Sequence, residues 1–570
     1  MSAALSACAG SGATGGHAGP VTVGIIAIND FHGALEPPKL SVAAPDGNGG
    51  TVQVAAGGVA WLASAIDTVR AKYPNHVTVS AGDLISASQV ASSIFLDEPT
   101  IGVMNLIGLD FNAVGNHEFD QGRAELLRKQ SGGCEQHTLR KPCSVEPFAG
   151  AKFRFLSAST YTEAGSTLFP ATGLRKFGSG AREVTVGFIG LTLKETPSLV
   201  SPDGVKGLTF GDEAEAINAA VPQLKVQGAD AIVVLIHQGG KPSGRPDPNG
   251  CDGLSGNILP ILSRMDARVD VVVSGHTHAA YVCDYGKTDP ARSFLLTSAG
   301  HYGQLVTDIT LTIDPASGRV VAKRAANVIV QSPAYESSRG PVANTTLFPR
   351  LEPRADIAAY VKRYTVAARE FAERPAGHVL GSAARPSPGT PGGGPLGNLI
   401  ADAQLAATRA AGAQIAFTNP FGIRAALEPA ADGTLTFGQL YNVQPFGNVL
   451  ITQSMTGAEI RSVLEQGFRG NGPEQVLAAS AGFAWRYDSS RPSGPRVMSV
   501  TLNGEELRGD AIYRVTTNSF LAGGGDGFSG FARQRDAVRG MTDLDALVAW
   551  VASPTPRAIP IEERARDDAR

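Results

Sequence analysis

The chain has 570 residues, too many for one hydrophobic core, so two or more large domains are expected. Apolar residues make up 43% of the chain and charged residues 18%, which fits a soluble globular protein and excludes a disordered one. A net charge of -3 gives no electrostatic basis for binding nucleic acid or an anionic membrane. No apolar run reaches the roughly 18 residues that a membrane-spanning helix needs.

Residues 1–20 contain a candidate lipid-attachment site. Leu5-Ser6-Ala7-Cys8 resembles the lipobox at which bacterial lipoproteins are cleaved and lipidated, and residues 9–20 are small and Gly-rich, as in a flexible tether. The segment before the motif is shorter than a full signal and lacks its basic region, which leaves a misassigned start or a chance match as explanations. Lipidation of Cys8 is the expectation.

Residues 21–335 alternate apolar runs with helical patterns. Strands are predicted at 21–28, 77–80, 184–191, 231–236 and 271–273, and helices at 57–70, 99–107 and 214–226. Residues 41–56 are predicted to be a loop, and the pattern after residue 293 is strand-rich. Continuous apolar strands between helices indicate a covered sheet and hence an α/β domain, whose ligands bind beyond the carboxyl ends of the strands.

The rest of the chain divides into three parts. Residues 336–375 are predicted to be a linker and a connecting helix at 356–372. Residues 376–556 form a second unit of strands and helices, with its clearest helix at 398–411. The Glu/Arg/Asp-rich residues 557–570 are predicted to be a disordered tail.

Five strand ends of the first domain carry residues suited to metal binding. A single strand end with such residues would fit an ordinary polar loop. The five strand ends together, however, contain five of the ten histidines of the chain, which indicates a common site. The candidate ligands are Asp30, His32, Asp83, Asn116, His237, His276 and His278. The remaining histidines are expected at the surface or in structural positions, and they are His17, His76, His137, His301 and His378.

The ligand set combines imidazole with hard oxygen and no cysteine, which suits Zn²⁺, Mn²⁺, Co²⁺ or Fe²⁺ rather than a structural thiolate site. Seven ligands exceed the needs of one ion, so two ions bridged by Asp83 are expected. Paired ions about 3.5–4 Å apart can activate water and stabilise an in-line phosphoryl displacement. His117, oriented by Asp120, would then be free to move a proton to the leaving group.

Loops of the second domain carry residues suited to a nucleotide. A phenylalanine in each of two Gly-rich loops, Phe446 and Phe520, can sandwich a nucleobase, although either ring alone would also fit core packing. Arg424 can bind phosphate with its forked guanidinium, and Asp526 can accept from ribose hydroxyls.

Four of the five cysteines suggest disulfides. The simplest pairing is Cys134 with Cys143 and Cys251 with Cys283, although four cysteines allow three connectivities and free thiols are the alternative. Disulfides would place the protein outside the cytoplasm, in the periplasm, on the cell surface or in the medium.

The motifs of both domains resemble one known family. Asn29-Asp30-Phe31-His32-Gly33, Gly115-Asn116-His117-Glu118-Phe119-Asp120 and Gly275-His276-Thr277-His278 resemble the calcineurin-like metallophosphoesterases, in particular the 5′-nucleotidase branch. That branch includes UDP-sugar hydrolases and 2′,3′-cyclic phosphodiesterases, and the resemblance runs from about Val21 to Val551. It implies a four-layer α/β/β/α sandwich and a second, α+β substrate-binding domain.

The resemblance also implies a role for each site residue. Asp30, His32, Asp83 and His278 would hold one divalent ion, and Asp83, Asn116, His237 and His276 the other, with His117 and Asp120 as the catalytic pair. The implied substrate-binding residues are Arg385, Asn419, Gly422, Arg424, Phe446, Asn448, Phe520 and Asp526. Two features depart from the family pattern: Phe421 replaces a glycine, and Arg385 is the only arginine in residues 385–394.

The function expected is an extracytoplasmic phosphohydrolase that uses two Mn, Zn or Co ions and metal-activated water. Its partner is a nucleotide rather than a nucleic acid: a nucleoside 5′-monophosphate, with UDP-sugars and 2′,3′-cyclic nucleotides as related substrates. One alternative is a thiosulfohydrolase of sulfur oxidation, against which the two stacking phenylalanines argue. The other is a catalytically silent nucleotide-binding surface lipoprotein, against which the complete ligand set argues. The oligomeric state is left open.

Overall fold

A computed structural model describes residues 19–138, 140–337, 340–387, 390–468, 474–491 and 495–569. Cys8 and the remainder of the lipobox, together with His17, lie outside these residues. Among the helices described, none combines the length and the apolar character that crossing a bilayer requires.

The first domain contains two six-stranded sheets. In spatial order, the first consists of Arg319–Ile329, Leu305–Asp314, Val21–Ile28, His76–Ser80, Phe111–Ala113 and Arg154–Leu156. The second consists of Ala280–Asp284, Leu295–Ala299, Val271–Ser274, Ala231–His237, Val184–Thr192 and Thr172–Phe177. The central strands of each sheet are parallel, so their carboxyl ends lie along one edge.

The two sheets face each other across a core built by alternation along each strand. Val23 and Ile25 point into the core between the sheets, whereas Ile26 and Ile28 point to the opposite face. On that outer face lie the helices Val59–Arg70, Glu98–Ile107 and Arg123–Ser131, and the second sheet is covered by Glu213–Val226 and Ile258–Arg264. Because both faces of the central strands are buried, these strands are almost entirely apolar. The predicted four-layer α/β/β/α sandwich is confirmed.

The helix Ala355–Ala372 connects the domains, close to the predicted 356–372. Its buried residues Ile357, Val361 and Tyr364 belong to a single apolar cluster that contains side chains of both domains. The domains are therefore joined by packing as well as by the chain.

The second domain has three sheets and five helices among its described residues. The sheets comprise Ala478–Ala479, Ile415–Thr418, Ile512–Asn518, Val449–Thr456 and Val538–Thr542; then Glu505–Glu506, Val497–Leu502, Phe483–Tyr487 and Ala565–Asp567; and then Thr434–Thr436, Pro375–Leu380 and Arg557–Ala558. The helices are Gly394–Thr408, Phe437–Val443, Gly457–Gln466, Ser519–Ala522 and Asp543–Val551. The predicted α+β character of this domain is confirmed.

The described chain also contains smaller elements. They include the hairpins Leu40–Pro45 with Thr51–Ala56 and Tyr335–Ser337 with Gly340–Val342, the strand pair Thr160–Thr162 with Leu208–Phe210, the short helices Val90–Ser93 and Thr196–Leu199, and several 3-10 turns such as His117–Phe119. The prediction of a loop at 41–56 is therefore wrong. In this hairpin Val42 pairs with Val54 and Ala44 pairs with Val52, so apolar residues alternate along both strands. The Gly- and Asn-containing turn between the strands obscured this pattern in the sequence.

The prediction of a disordered tail at 557–570 is wrong for the residues described. Ala565–Asp567 pairs in parallel with Phe483–Tyr487, and Arg564 is buried. The Arg564 guanidinium forms two bonds to the Asp402 carboxylate, of 2.7 and 2.9 Å. The guanidinium of Arg564, one of the charges that suggested a solvated segment, is paired, and this pairing permits its burial.

Candidate active site

The seven predicted metal ligands lie together where the carboxyl ends of strands from both sheets meet. The first sheet contributes Asp30, His32, Asp83 and Asn116, and the second contributes His237, His276 and His278. Asp83 Oδ2 is 3.0 Å from His237 Nε2, so a carboxylate of one sheet touches an imidazole of the other.

One group of candidate ligands surrounds Asp30. The Asp30 Oδ1 atom is 3.5 Å from His278 Nε2 and 4.0 Å from His32 Nε2, and Asp83 Oδ2 lies 3.7 Å from His32 Nε2. The two imidazole Nε2 atoms are 3.1 Å apart. Two imidazole nitrogens and two carboxylates that converge on one point form a donor set suited to a divalent ion.

The other group surrounds Asn116. Its Oδ1 atom is 3.2 Å from His237 Nε2 and 3.1 Å from His276 Nδ1, and Asp83 Oδ2 completes the set from the His237 side. Asp83 thus contacts histidines of both groups, as a bridging ligand must.

The histidine tautomers fit metal binding. His32 Nδ1 lies 2.9 Å from the carbonyl oxygen of Ser86, and His237 Nδ1 lies 2.8 Å from that of Ala81. A carbonyl oxygen only accepts, so each Nδ1 carries a proton and each Nε2 is the atom that faces the cluster and would bind an ion when deprotonated. The residues present therefore fit a pair of divalent ions.

Burial keeps most of these imidazoles neutral. It lowers the pKa of His32 and His278 well below the usual value and that of His276 to about 3. His237 behaves differently: burial lowers its pKa, but the charge and hydrogen bond of Asp83 and the charges of Asp30 and Glu118 together outweigh burial and raise it to about 10. Burial and the nearby charge of Asp83 raise the pKa of Asp30 to about 7. Positive charge at this cluster would relieve the repulsion between the two carboxylates.

The backbone at the cluster is unusual. Five candidate ligands adopt a left-handed conformation with φ between 47° and 71°, namely Asp30, His32, Asp83, His276 and His278. Each such non-glycine residue costs on the order of 1–3 kcal/mol, a strain that is concentrated at functional sites. Gly115 is also required, because a Cβ there would lie 2.1 Å from Asp83 Oδ1.

His117 lies beside the cluster and is paired with Asp120. Its Nδ1 atom is 2.7 Å from Asp120 Oδ2, and its backbone N–H donates to Asp83 Oδ1 at 2.9 Å. Burial lowers the pKa of His117, but the charges of Asp120 and Asp83 outweigh burial and the net shift is upward. The arrangement places an imidazole whose protonated form is favoured next to the candidate metal ligands.

A cavity of about 800 Å³ connects this cluster to the second domain. Asp83, Asn116, His117 and Asp120 line it on one side. From the other side it is lined by all eight predicted substrate-binding residues: Arg385, Asn419, Gly422, Arg424, Phe446, Asn448, Phe520 and Asp526. The two sets, separated by some 250 residues or more of chain, share one space.

The polar groups of this wall are only partly satisfied. Arg424 Nε and Nη2 are buried and make no hydrogen bond within the described residues. Asp526 Oδ2 accepts from Asn419 Nδ2 at 2.7 Å, yet burial raises the pKa of Asp526 to about 6. The Arg424 guanidinium lies 5.8 Å from the centre of the Phe446 ring. An anion near Arg424 would satisfy the buried cation.

Two family descriptions match the chain. "Calcineurin-like phosphoesterase" matches residues 24–280 and "5′-nucleotidase, C-terminal domain" matches residues 376–533. The cell wall protein Lmo0130 of Listeria monocytogenes is 30% identical over 562 residues, which cover 93% of this chain and 67% of that protein. The chain belongs to the 5′-nucleotidase family of metallophosphoesterases. It is therefore a metal-dependent phosphoester hydrolase by family.

Other relatives agree on the fold. Endonuclease YhcR of Bacillus subtilis is 31% identical over 545 residues, or 94% of this chain, and the chain spans only 40% of that protein's length. A 5′-nucleotidase precursor of Thermus thermophilus has a crystal structure with a TM-score of 0.71 at 25% identity, covering 96% of this chain and 99% of that one. Sulfate thiohydrolase SoxB of Thermus thermophilus reaches a TM-score of 0.67 at 17% identity over 96% and 97% of the two chains, a likeness of fold alone.

Glu118 lies beside the candidate metal ligands, and no role for it was predicted from the sequence. The buried carboxylate accepts from the backbone N–H groups of Asp83, Leu84 and Gly115 at 2.8 to 2.9 Å. Burial and the charge of Asp83 raise the pKa of Glu118 to about 8. Glu118 therefore holds the two metal-site loops of the first sheet together.

His301, expected to be structural, stacks on His278 with ring centres 4.8 Å apart. The neighbouring Tyr302 contacts His32 edge-on, at 5.7 Å between ring centres. Its backbone N–H donates to the carbonyl of Asp30 at 2.8 Å. His301 and Tyr302 therefore support the group of candidate ligands around Asp30. This role could not be seen in the sequence, because the two residues are far from Asp30 along the chain. His76, His137 and His378 are exposed, as predicted.

Both predicted disulfides are present. Cys134 pairs with Cys143, and Cys251 pairs with Cys283. The first closes a loop that reaches the second domain, where Arg140 Nη2 donates to the Tyr441 hydroxyl at 2.8 Å. The second joins the loop after His237 to the strand after His278. Both bonds therefore lie in segments that frame the site.

Proposed function

We propose that the protein releases phosphate from nucleoside 5′-monophosphates, and from related nucleotides such as UDP-sugars or 2′,3′-cyclic nucleotides, using two divalent ions outside the cytoplasm. The observation that carries this proposal is the shared cavity. Candidate metal ligands line one side of it, and the residues expected to hold a base, a ribose and a phosphate line the other.

Two groups of residues would hold the ions. Asp30, His32 and His278 would hold one and Asn116, His237 and His276 the other, with Asp83 shared between them. When bound, Mn²⁺, Zn²⁺ or Co²⁺ would activate water and stabilise the charge that develops on the phosphoryl oxygens. Asp83 is suited to bridging because it contacts histidines of both groups.

His117 would donate a proton to the leaving oxygen. Asp120 engages its Nδ1 atom, which leaves Nε2 for the transfer. The raised pKa of His117 favours the protonated form that a general acid needs. The pairing of an imidazole with an orienting carboxylate also fixes the ring in one position.

Arg424 would bind the phosphate and Arg385 would support it. Arg424 is suited to this role because two of its buried donors have no partner among the described residues. Arg385 Nε donates to the carbonyl of Ile423 at 3.2 Å, next to Arg424. A phosphate would offset the repulsion between the two guanidinium groups, which contributes to lowering the pKa of Arg385 after burial.

The nucleoside would occupy the second-domain side of the cavity. Phe446 and Phe520 would stack on the base, with Asn448 at its edge. Asp526, supported by Asn419 and the turn at Gly422, would accept from the ribose hydroxyls. Each of these residues is partly or wholly buried and lines the same space.

The location outside the cytoplasm has two supports. The two disulfides are stable in oxidising compartments, and the relative Lmo0130 is named a cell wall protein. Lipidation of Cys8 is part of the same proposal. Mass spectrometry of the protein recovered from membranes would test it, and an unmodified Cys8 there would contradict it.

The proposed activity is tested by phosphate release from AMP, UDP-glucose, 2′,3′-cyclic AMP and ATP, with Mn²⁺, Zn²⁺ or Co²⁺ added and bound metal measured in parallel. Release from AMP by protein that carries two ions is expected. No release from any of them by metal-loaded protein would contradict the proposal. Sulfate release from a thiosulfonate conjugate instead would favour the thiosulfohydrolase alternative, which shares only the fold. Binding without turnover would favour a silent nucleotide-binding protein.

A further inference from the structure

Asp543 is a buried carboxylate of the shared cavity that the proposed mechanism does not use. It lines the cavity and is 3% exposed. Its Oδ1 atom accepts from the backbone N–H of Leu544 at 2.8 Å, and Oδ2 lies at the longer distance of 3.4 Å from Asn448 Nδ2. A backbone hydrogen bond from Asn448 also contributes to lowering the pKa of this carboxyl. Burial raises the pKa of Asp543 to about 7, despite these bonds. A buried oxygen with so little support gains from a donor supplied by a ligand.

Asp543 lies next to the two loops that carry the stacking rings. Its backbone N–H donates to the Asn448 carbonyl at 2.8 Å, and Asn448 follows Phe446 by two residues. Ser519 Oγ, immediately before Phe520, lies 3.4 Å from Asn448 Oδ1. Asp543 and Asn448 therefore lie next to the loops that carry both rings. The edge of a base stacked between Phe446 and Phe520 would lie close to these two side chains.

Helix capping does not account for the Asp543 side chain. The helix Asp543–Val551 begins after Thr542, whose hydroxyl accepts from the Asp545 N–H at 3.1 Å and so supplies the cap. The second oxygen of Asp543 has no structural partner as short as this. Its acceptor capacity is directed to the cavity.

A second unsatisfied acceptor points to the same ligand chemistry. Gln444 is 4% exposed, lines the cavity, and has an Oε1 atom without a hydrogen bond within the described residues. The cavity wall thus includes two acceptors, Asp543 Oδ2 and Gln444 Oε1, and one donor, Asn448 Nδ2, which lies 3.4 Å from Asp543 Oδ2. A matching base edge carries adjacent N–H donors next to one carbonyl oxygen.

Guanine has that edge. Its N1–H and 2-amino group lie side by side and can both donate to a carboxylate, and O6 beside them accepts. Adenine places the N1 acceptor at the same point, where it would face the carboxylate and repel it. Hypoxanthine keeps N1–H and O6 but lacks the 2-amino group, so it satisfies the site in part.

We propose that Asp543 and Asn448 make the base subsite select guanine over adenine. The Asp543 carboxylate accepts from N1–H and the 2-amino group, and the Asn448 amide donates to O6. This inference rests on the proposed function, because it places the base between Phe446 and Phe520. It predicts the substrate order GMP, then IMP, then AMP.

The test measures kcat/KM of the metal-loaded full chain for GMP, IMP, AMP and ribose 5-phosphate. GMP is expected to exceed AMP by about five- to 150-fold, the value of one good bidentate pair. Asp543→Asn keeps an oxygen for the Leu544 N–H and exchanges the other acceptor for a donor. It should abolish the preference for GMP and leave ribose 5-phosphate unchanged. Asp545→Asn, two residues along the same helix and exposed, is the matched control.

The outcomes separate this inference from the proposed function. Equal rates on GMP and AMP, or a preference that survives Asp543→Asn, would overturn the inference and leave the nucleotidase proposal intact. An equal loss on ribose 5-phosphate would also overturn it, because it would show a structural role. Failure to hydrolyse any nucleotide would contradict the proposed function. In that case calorimetric measurement of guanosine and adenosine binding would test the inference separately. Tighter binding of guanosine than of adenosine, lost in Asp543→Asn, would support the inference, and any other result would overturn it.

Discussion

The ring of Phe446 stacks on the imidazole of His117, with ring centres 5.7 Å apart and planes inclined by 12°. Phe446 belongs to the second domain and His117 to the first, so the proposed base-binding ring supports the proposed proton donor directly. A substitution at Phe446 should therefore disturb both base binding and the chemical step. Phe520 packs against the second-domain core and has no such contact with His117.

This difference predicts distinct effects of the two rings. Phe520→Ala should weaken kcat/KM for GMP and AMP by about 1–3 kcal/mol, the value of one stacking contact, and leave ribose 5-phosphate unaffected. Phe446→Ala should show the same loss and, in addition, a lower kcat on ribose 5-phosphate, because His117 loses its support. Phe371→Ala, an exposed ring of the connecting helix, is the control. Equal losses on all substrates for Phe520→Ala would mean that its ring is only a core residue.

Replacement of the shared carboxylate should remove the metals. Asp83→Asn keeps the shape of the side chain but removes the charge that contacts histidines of both groups. Metal analysis should show that most of the bound ions are lost, and phosphate release should nearly vanish. Asp203→Asn, an exposed carboxylate elsewhere in the domain, should retain both ions. An active wild-type preparation with one ion or none would refute the two-metal proposal.

His117 is expected to be catalytic and not a ligand. Asn116 already supplies an oxygen to its group, and Asp120 orients the imidazole. His117→Asn should retain both metals and lower kcat by about 10²–10⁴, the usual contribution of a general acid or of local charge stabilisation. His137→Asn, at an exposed position, should change neither. Loss of metal from His117→Asn would show that the role is wrongly assigned.

Nucleoside binding should depend on the ionisation of Asp526. Burial raises the pKa of this carboxyl to about 6, so it is ionised above that pH and protonated below it. Only the ionised form accepts from both ribose hydroxyls, and the affinity for adenosine should therefore fall as the pH is lowered through 6. Adenosine avoids the titration of a substrate phosphate, and the measurement is made on Asp543→Asn protein, because burial raises the pKa of Asp543 to about 7 and its titration would otherwise change the binding of adenine.

Two controls isolate the Asp526 carboxyl. Asp526→Asn should bind adenosine weakly and without this pH dependence. 2′,3′-Dideoxyadenosine, which has no ribose diol, should bind with no change through the same range. If its binding fell in parallel with that of adenosine, another group would be responsible.

The convergence of the candidate metal ligands could be predicted from sequence because each of them lies at or shortly after the end of an apolar strand. Parallel strands bring their carboxyl ends to one edge, so the pattern around Asp30, Asp83 and His237 contains the three-dimensional information. The second-domain loops were predicted from Phe446 and Phe520, large apolar residues in Gly-rich segments; both rings are half-buried and line the cavity. The motif from Gly115 to Asp120 also indicated the family.

The other features of the fold and of the site depend on contacts between residues far apart in the sequence, which no local sequence pattern predicts. Asp543 begins a helix and looks like an ordinary N-terminal acid until Asn448 is placed beside it. Arg564 looks solvated until its bond to Asp402, distant in the sequence, is known. Arg140 and Tyr441 are separated by 301 residues. Pairs of this kind are determined by tertiary packing, and they cannot be predicted from secondary-structure propensity or hydrophobic periodicity.

The last prediction concerns the contact between Arg140 and Tyr441. Arg140 lies in the loop closed by Cys134 and Cys143, and its guanidinium donates to the carbonyl of Ser93 at 2.6 Å and to the Tyr441 hydroxyl at 2.8 Å. The Tyr441 hydroxyl in turn donates to the carbonyl of Pro445 at 3.0 Å, immediately before Phe446. The disulfide loop of the first domain is thus linked to the base-binding loop of the second.

Arg140→Ala should therefore raise KM for nucleotides by several-fold, because the loop that carries Phe446 loses a support worth roughly 1–3 kcal/mol for a hydrogen bond to a charged group. Tyr441→Phe should have a similar effect, and the double variant should be no worse than either single one, since both remove the same link. Lys141→Ala, the exposed neighbour in the same loop, is the matched control. Additive losses in the double variant would show that Arg140 and Tyr441 act independently, and the link between the disulfide loop and the base-binding loop would then have no role in substrate binding.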